Sequence, residues 1–166
     1  METQPTVHEK NVAVAIHAST FLKYFIPTAN FFVPLILWIT NKEKPFIDHH
    51  GRNAINFQLS IFVYTLLIGF ICLPFFILFA TDFIALIDSL DHSISTIDFQ
   101  DIKNLSGYIL LFAIAGLLLF SLFVFELYAV ITAALKASRG ETYKYPMCIK
   151  FLTINPPKPI TNEHTS

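Results

Sequence analysis

Charged residues are scarce in this chain of 166 residues: 11 are basic and 12 are acidic, together 14 % of the sequence. A soluble domain typically has about 25 % charged residues, which cover its surface. Three segments, residues 24–41, 53–81 and 104–125, contain no Asp, Glu, Lys or Arg. Because a run of about 18 or more apolar residues is typical of a membrane helix, this scarcity excludes an ordinary soluble enzyme and a disordered chain.

Signals of catalytic, metal and nucleic-acid chemistry are also missing. The two cysteines, Cys72 and Cys148, have no metal-type spacing, and the sequence lacks Walker, HExxH and GxSxG motifs. Adjacent histidines rarely point at one ion, so His49 and His50 beside Asp48 do not predict a metal site. The net charge of −1 provides no basic field for nucleic acid. We therefore expect no enzymatic activity, no cofactor and no nucleic-acid partner.

The sequence instead contains 54 % hydrophobic residues, including 18 phenylalanines, arranged in long apolar runs. These runs predict an all-α integral membrane bundle with three main spans, at about 24–40, 53–80 and 106–136. Lys23, Pro27 and Asn30 interrupt the first run. Residues 12–40 therefore either cross once or turn near residues 27–30 into a re-entrant hairpin, which would give four crossings if both arms span.

The remaining charges indicate the domain organisation and the topology. Residues 11–152 form a single predicted membrane domain between an N-terminal tail (1–10) and a flexible C-terminal tail (153–166). Eight of the 11 basic residues lie in the loop 41–52 or from residue 136 onward, which predicts a cytoplasmic C-terminus in the bacterial inner membrane. The acidic segment 82–104 is the predicted outer connection, and its first part has the periodicity of an amphipathic helix.

Polar side chains concentrate at the start of the second run, where Asn53, Asn56 and Ser60 share one helix face. They form either a polar seam that fixes helix packing or the lining of a substrate or ion path. Glu126 is the single acidic residue inside the third run, and an ionisable group in a span is a functional hypothesis by default. We expect it to pair with Arg52 or His50 at the inner rim, or else to couple to protons or ions.

Four segments together resemble a family of small bacterial membrane proteins of unknown function. They are residues 30–38 (NFFVPLILW), 46–60 (FIDHHGRNAINFQLS), 133–137 (AALKA) and 140–146 (GETYKYP). The resemblance covers about residues 12–152. The family is distantly similar to the twenty-kilodalton membrane subunit of the chloroplast inner-envelope protein translocon. This resemblance implies a helical bundle and a role in the passage of proteins or solutes.

The motifs and the lone acid of the third run define the candidate interaction site, to which no catalytic role is attached. Its residues are Asp48, His50, Gly51, Arg52, Asn56, Phe57, Gln58, Glu126, Tyr143, Tyr145 and Pro146. We expect residues 48–52 and 143–146 to pack together on the cytoplasmic side. The predicted function is that of a non-enzymatic subunit or accessory of a membrane complex, with the bilayer and either further copies or other subunits as partners. A small oligomeric pore or carrier is the alternative.

Overall fold

The computed structural model describes residues 4–92 and 99–153, with side chains described except at positions 86 and 89–105. Within these residues the chain forms four α-helices and one 3-10 helix, and it contains no strand. The prediction of an all-α protein is therefore confirmed for the described part of the chain.

Helix α1, Val7–Ala18, begins at a capping box. The Thr6 hydroxyl accepts a hydrogen bond from the Glu9 backbone N–H (3.3 Å), and the Glu9 carboxylate accepts one from the Thr6 backbone N–H (2.7 Å). These two bonds satisfy donors that a helix start otherwise leaves open. A 3-10 helix, Ser19–Tyr24, continues the chain directly after α1.

Helix α2, Ala29–Ile39, has 11 residues and packs against both α1 and the 3-10 helix. The intervening residues 25–28 form a turn in which Thr28 has a φ of 71°. The prediction of one continuous span over 24–40 is therefore wrong, because the helix starts only at Ala29. The chain folds back at residues 25–28, close to the place that the hairpin alternative indicated.

Helices α3, Pro45–His92, and α4, Phe99–Arg139, are the two long elements. Their segments Pro45–Ala85 and Ser106–Arg139 are long and apolar enough to cross a membrane, and each contains an 18-residue stretch with a mean hydropathy of 2.6 or 2.7 respectively. Helix α4 ends at Gly140, whose φ of +81° is the left-handed conformation that glycine adopts without steric cost. Among the described residues, two candidate spans replace the three that the sequence predicted.

The acidic segment 82–104 does not begin with a separate surface helix. Helix α3 continues without interruption to His92, and α4 starts at Phe99. The first part of the segment is helical, as its periodicity predicted, but it is the end of α3. The predicted amphipathic positions Ile94 and Ile97 lie outside the described residues.

The chain divides into two compact units. The apolar unit is Phe62–Phe125, and the polar unit consists of Met1–Ile61 with Glu126–Ser166. Inside the apolar unit, the Phe79 ring packs edge-on against Tyr108 and Phe112, with centroids 5.5 Å away in both cases. The Tyr108 hydroxyl also donates a hydrogen bond of 2.8 Å to the Asp82 carboxylate. Most large apolar side chains of this unit are exposed, as expected for helices that face lipid.

The polar unit has the opposite character, because its interior combines apolar and polar side chains. Ile16, Ile47 and Ala54 form a fully buried apolar cluster, with Val12, Leu37 and Trp38 packed around it. Among the residues whose side chains the structure describes, ten polar or charged ones are also buried, and these ten belong to this unit. Because burying a polar group is unfavourable unless it is hydrogen-bonded, the partners of these residues define the site.

Candidate functional site

A buried ion pair joins the 3-10 helix to α4. The Lys23 ammonium donates to both carboxylate oxygens of Glu126, at 2.6 and 2.5 Å. The Glu126 side chain is 3 % exposed and the Lys23 side chain 23 %. Each charge thus has a partner, which an apolar environment requires. The prediction that Glu126 pairs with Arg52 or His50 is wrong, because Lys23 occupies its carboxylate.

Two buried amides extend this ion pair. Gln58 on α3 donates through Nε2 to Glu126 Oε1 (3.2 Å) and accepts through Oε1 from Asn30 Nδ2 (3.0 Å). The donor order therefore runs from Asn30 to Gln58 to Glu126, and the Lys23 ammonium approaches from the other side. This network connects the 3-10 helix, α2, α3 and α4 through side chains that are matched donor to acceptor.

A second buried chain of hydrogen bonds links α1, α3 and the segment after α4. The Tyr145 hydroxyl lies 2.9 Å from His17 Nδ1, and His17 Nε2 lies 2.8 Å from His50 Nδ1. His17 and His50 have no exposed surface, and Tyr145 is 2 % exposed. Tyr145 also stacks on Phe57, with centroids 4.1 Å apart and an interplanar angle of 10°. Three separate segments therefore meet at one aromatic cluster.

Burial sets the protonation of this chain. It lowers the pKa of His17 well below the usual value of 6.5, and the neighbouring His50 lowers it further. Burial likewise raises the pKa of the Tyr145 phenol well above 10.0. Because neutral His17 donates from one ring nitrogen and accepts at the other, its hydrogen bonds to Tyr145 and His50 run in one direction along the chain. His50 thus bonds to His17 through Nδ1.

The outer nitrogens of the histidine pair complete the description of this cluster. The Nε2 atoms of His49 and His50 are both buried and make no hydrogen bond within the described residues. The backbone carbonyl groups of Tyr143 and Glu141 face His49 and His50 respectively, without reaching hydrogen-bond geometry. The residues around 48–52 and those around 143–146 therefore lie close together, as the motifs predicted.

Asp48 organises the start of α3. It accepts a hydrogen bond of 2.8 Å from the Trp38 indole N–H and pairs with Arg52, one turn later, at 2.8 Å. The Arg52 guanidinium lies 5.3 Å from the centroid of the Trp38 ring. The backbone at Gly51 lies so close to Trp38 that a Cβ there would overlap the indole. A glycine is required because the end of α2 packs directly on this turn.

The polar face of α3 holds the backbone of the C-terminal segment. Asn56 donates to the Leu152 carbonyl (2.9 Å) and accepts from the Leu152 N–H (2.7 Å), and Ser60 Oγ accepts from the Ile149 N–H (2.8 Å). Arg52 donates to the Thr153 carbonyl (3.0 Å). The predicted polar seam therefore binds a non-helical segment of the chain, while Asn53 bonds to the His49 carbonyl of its own helix.

Tyr143 and Pro146 complete the predicted site. Tyr143 is partly buried, and its ring meets that of Tyr145 edge-on with centroids 5.1 Å apart. Pro146 is exposed in a turn whose next residue, Met147, has a φ of 52°. Both residues lie in the segment that places Tyr145 in the buried cluster.

The contributions of three residues were missed from the sequence: His17, Lys23 and Asn30 each donate or accept in the buried networks. A signal was present for Lys23, because it and Glu126 are opposite charges, each isolated in an apolar run. Within residues 4–92 and 99–153, no group of three His, Cys, Asp or Glu side chains is placed to hold a metal ion. The polar groups of the site mainly connect one chain segment with another.

Two apolar helices of spanning length, together with a hydrogen-bonded polar interior in one compact unit, define a helical membrane protein. The chain belongs to the magnetosome magnetite crystal formation protein family, which matches residues 8–152. The match includes both candidate spans and every residue of the site. The resemblance to a small membrane-protein family is confirmed at this level. Comparisons with curated proteins and with solved structures found no match.

Proposed function

We propose that this chain is a non-enzymatic accessory subunit of a membrane complex that takes part in magnetite crystal formation. The compartment follows from the family, whose description names the magnetosome and its crystal. The contacts support a structural role. Asn30, Gln58, Glu126 and Lys23 bond to one another and thereby join four helical elements. That shared use of buried polar groups is the observation that carries the proposal.

The membrane arrangement in this proposal has two crossings, made by α3 and α4. We do not include the third crossing predicted over 24–40, because α2 has 11 residues, or about 16 Å at 1.5 Å per residue. The hydrocarbon core of a bilayer is about 30 Å thick. The excess of basic residues around loop 41–52 and after residue 136 supports a cytoplasmic C-terminus. The bacterial inner membrane stays a predicted location, in addition to the magnetosome membrane that the family indicates.

A small oligomeric carrier for an ion or solute is the second candidate. The observation that favours it is the Lys23–Glu126 pair, since ionisable groups inside membrane segments commonly mark ion and proton paths. In such a carrier, the pair would open during transport. The bond of Gln58 to Glu126 favours the structural role, because moving Glu126 away would leave the buried Gln58 Nε2 without its acceptor.

The translocation role implied by the resemblance to the envelope translocon stays a prediction with no support beyond that resemblance. The experiment below distinguishes it, because a translocation accessory would be isolated with channel subunits and translocating chains. A mineral-formation accessory would be isolated with other proteins of the crystal-bearing membrane.

The test is affinity isolation of the full chain from its native membrane in a mild detergent, followed by identification of the bound proteins. The proposal predicts a defined set of membrane partners that is reduced in Glu126→Gln, because this change weakens the core of the polar unit. Glu43→Gln is the matched control: it makes the same chemical change at an exposed position, and partners should be retained. A chain that is isolated alone, in monomeric form, would contradict the proposal.

A flux assay distinguishes the second candidate, the carrier, from the accessory role. The purified chain is reconstituted into liposomes, and the release of protons and of small cations is followed across the membrane. The accessory role predicts a flux equal to that of empty liposomes. A flux that requires Glu126 and is unaffected by Glu43→Gln would replace the accessory role with the carrier.

A further inference from the structure

We infer that residues 7–39 form a re-entrant hairpin whose two ends lie on the same side of the membrane and whose tip lies among lipid acyl chains. The first observation concerns the start of the hairpin. A Cβ at Gly140 would lie 2.9 Å from Lys10 Cε and 3.0 Å from Pro5 Cγ, so the beginning of α1 contacts the end of α4. Whichever side of the membrane holds the end of α4 therefore also holds the beginning of α1.

The second observation concerns the end of the hairpin. Trp38, one residue before the end of α2, donates to Asp48 in the first turn of α3 and covers Gly51. The first turns of α3 in turn lie beside the segment after α4, because Arg52 and Asn56 bond to Thr153 and Leu152. Both arms therefore end at the same level, where α3 begins and α4 ends.

The depth of the tip follows from its contacts. Lys23 meets Glu126, and Asn30 meets Gln58. At 1.5 Å per residue, Glu126 is about 20 Å along α4 from Arg139, and Gln58 is about 20 Å along α3 from Pro45. A hydrocarbon core of about 30 Å is thicker than this distance. A hairpin that enters the membrane at the level where α3 begins and α4 ends therefore does not cross it.

Two features of the turn reduce the cost that lipid imposes on an irregular segment. The first is pairing of backbone donors: the N–H groups of Phe25 and Ile26 both bond to the Leu22 carbonyl, and Ala29 N–H bonds to the Ile26 carbonyl. The second is neutralisation of charge, which Glu126 provides for Lys23. The ion pair with Glu126 therefore allows Lys23 to lie close to a hairpin tip that is surrounded by lipid.

The surface of the tip matches acyl chains. Phe25 is 84 % exposed and Ile26 is 62 % exposed, both far from the apolar core of the unit. Exposed apolar side chains continue along α2 at Phe32, Ile36 and Ile39. Within the same unit, the candidate span of α4 also exposes apolar side chains, including Ile131 and Leu135. Contact with lipid accounts for the exposed apolar side chains of the hairpin and for those of α4.

The test uses single cysteines in a variant of the full chain in which Cys72 and Cys148 are replaced by Ala and Ser. A membrane-impermeant maleimide is added to sealed vesicles of both orientations. Val7→Cys and Lys42→Cys report the two ends of the hairpin, Lys150→Cys reports the tail, and Asp88→Cys serves as the probe of the acidic segment. Because Val7, Lys42, Asp88 and Lys150 are all exposed, these replacements disturb no core contact.

The expected result is that positions 7, 42 and 150 react from one face and position 88 from the other. Phe25→Cys should react only after detergent is added, and a spin label there should be reached by oxygen and not by a water-soluble nickel chelate. Reaction of positions 7 and 42 from opposite faces would overturn the inference, as would reaction of position 25 in intact vesicles. Dipolar broadening of the label at position 25 would also overturn it, because a second copy would then cover the tip.

Protease protection provides an independent readout that keeps both native cysteines. An epitope tag before residue 1 and another after residue 166 should be removed by protease in the same vesicle orientation. Removal of the two tags in opposite orientations would contradict the inference even if the cysteine-replaced variant failed to fold.

Discussion

Lys23 and Glu126, 103 positions apart in the sequence, form an ion pair in which one ammonium contacts both oxygens of one carboxylate. Each residue is an isolated charge in an otherwise apolar segment. Gln58 and Asn30 extend the pair across α3 and α2. The two charges that were hardest to place in a simple bundle are therefore each other's partners.

The two sides of this pair should contribute unequally to stability. Lys23→Met leaves the 3 % exposed carboxylate of Glu126 without a counter-charge and should lower the free energy of unfolding by about 3 kcal/mol. Glu126→Gln leaves an ammonium that can still reach water and should lower it by about 1–2 kcal/mol. Thermal unfolding in detergent measures both. The double variant should be more stable than Lys23→Met alone, and simple additivity of the two losses would contradict the pairing.

Tyr145 contributes to the stability of the fold through its hydroxyl and through its ring. Two substitutions distinguish these two contributions. Tyr145→Phe removes the bond to His17 but keeps the stack on Phe57, which should lower stability by about 1 kcal/mol. Tyr145→Ala also leaves a cavity and should lower it by about 3–5 kcal/mol. Chemical denaturation gives both values. Equal losses for the two variants would show that the stack contributes nothing.

Asn56 should hold the C-terminal segment on α3. Asn56→Asp keeps the acceptor for Leu152 N–H but turns a carboxylate oxygen toward the Leu152 carbonyl, which removes one bond and adds a repulsion. The segment should then open more often, and trypsin should cleave after the exposed Lys150 about tenfold faster, as expected for a loss of about 1.4 kcal/mol. Asn11→Asp makes the same change on an exposed face of α1 and should leave the cleavage rate unchanged.

Gly51 should tolerate no side chain. In Gly51→Ala the new methyl group overlaps the Trp38 indole, so the indole must move away from Asp48, at a cost of about 1–3 kcal/mol. Because Trp38 is the single tryptophan of the chain, its fluorescence reports this movement directly. Gly116→Ala is the matched control, since a Cβ there meets no atom within 4 Å. An unchanged emission spectrum in Gly51→Ala would show that the contact is not tight.

Acid should destabilise the fold through His17. Burial lowers its pKa well below 6.5, so the unfolded chain binds this proton more readily than the folded chain does. The stabilisation is fully present above pH 6.5 and is lost progressively as the pH falls from 6.5 toward the lowered pKa. The melting temperature of the wild type should therefore drop over this range. It should drop less steeply in His17→Gln, whereas His8→Gln, at an exposed position, should behave like the wild type.

The sequence predicted the features that depend on composition and local pattern. Long uncharged runs indicated α3 and α4. This outcome requires no knowledge of distant partners. The contact of the two motifs was also expected, and Tyr143 and Glu141 face His49 and His50.

The remaining features depend on such partners and were not predicted. The fold-back at residues 25–28 was one of two alternatives that the sequence left open, because a hydropathy profile could not decide between them and packing of α2 on α1 does. His17 was missed because one histidine on a helix has no pattern of its own. The polar face of α3 was expected to meet a helix or a path, but Asn56 and Ser60 bind a backbone, which any sequence presents.

The central claim is that a polar unit held together by internal bonds serves as the assembly part of a membrane subunit. The most direct measurement is the native mass of the chain after gentle solubilisation, compared for the wild type, Glu126→Gln and Glu43→Gln. The account predicts a complex well above the 18.9 kDa monomer that contains other proteins, is lost in Glu126→Gln and persists in Glu43→Gln. A wild-type chain that migrates as a partner-free monomer would contradict it.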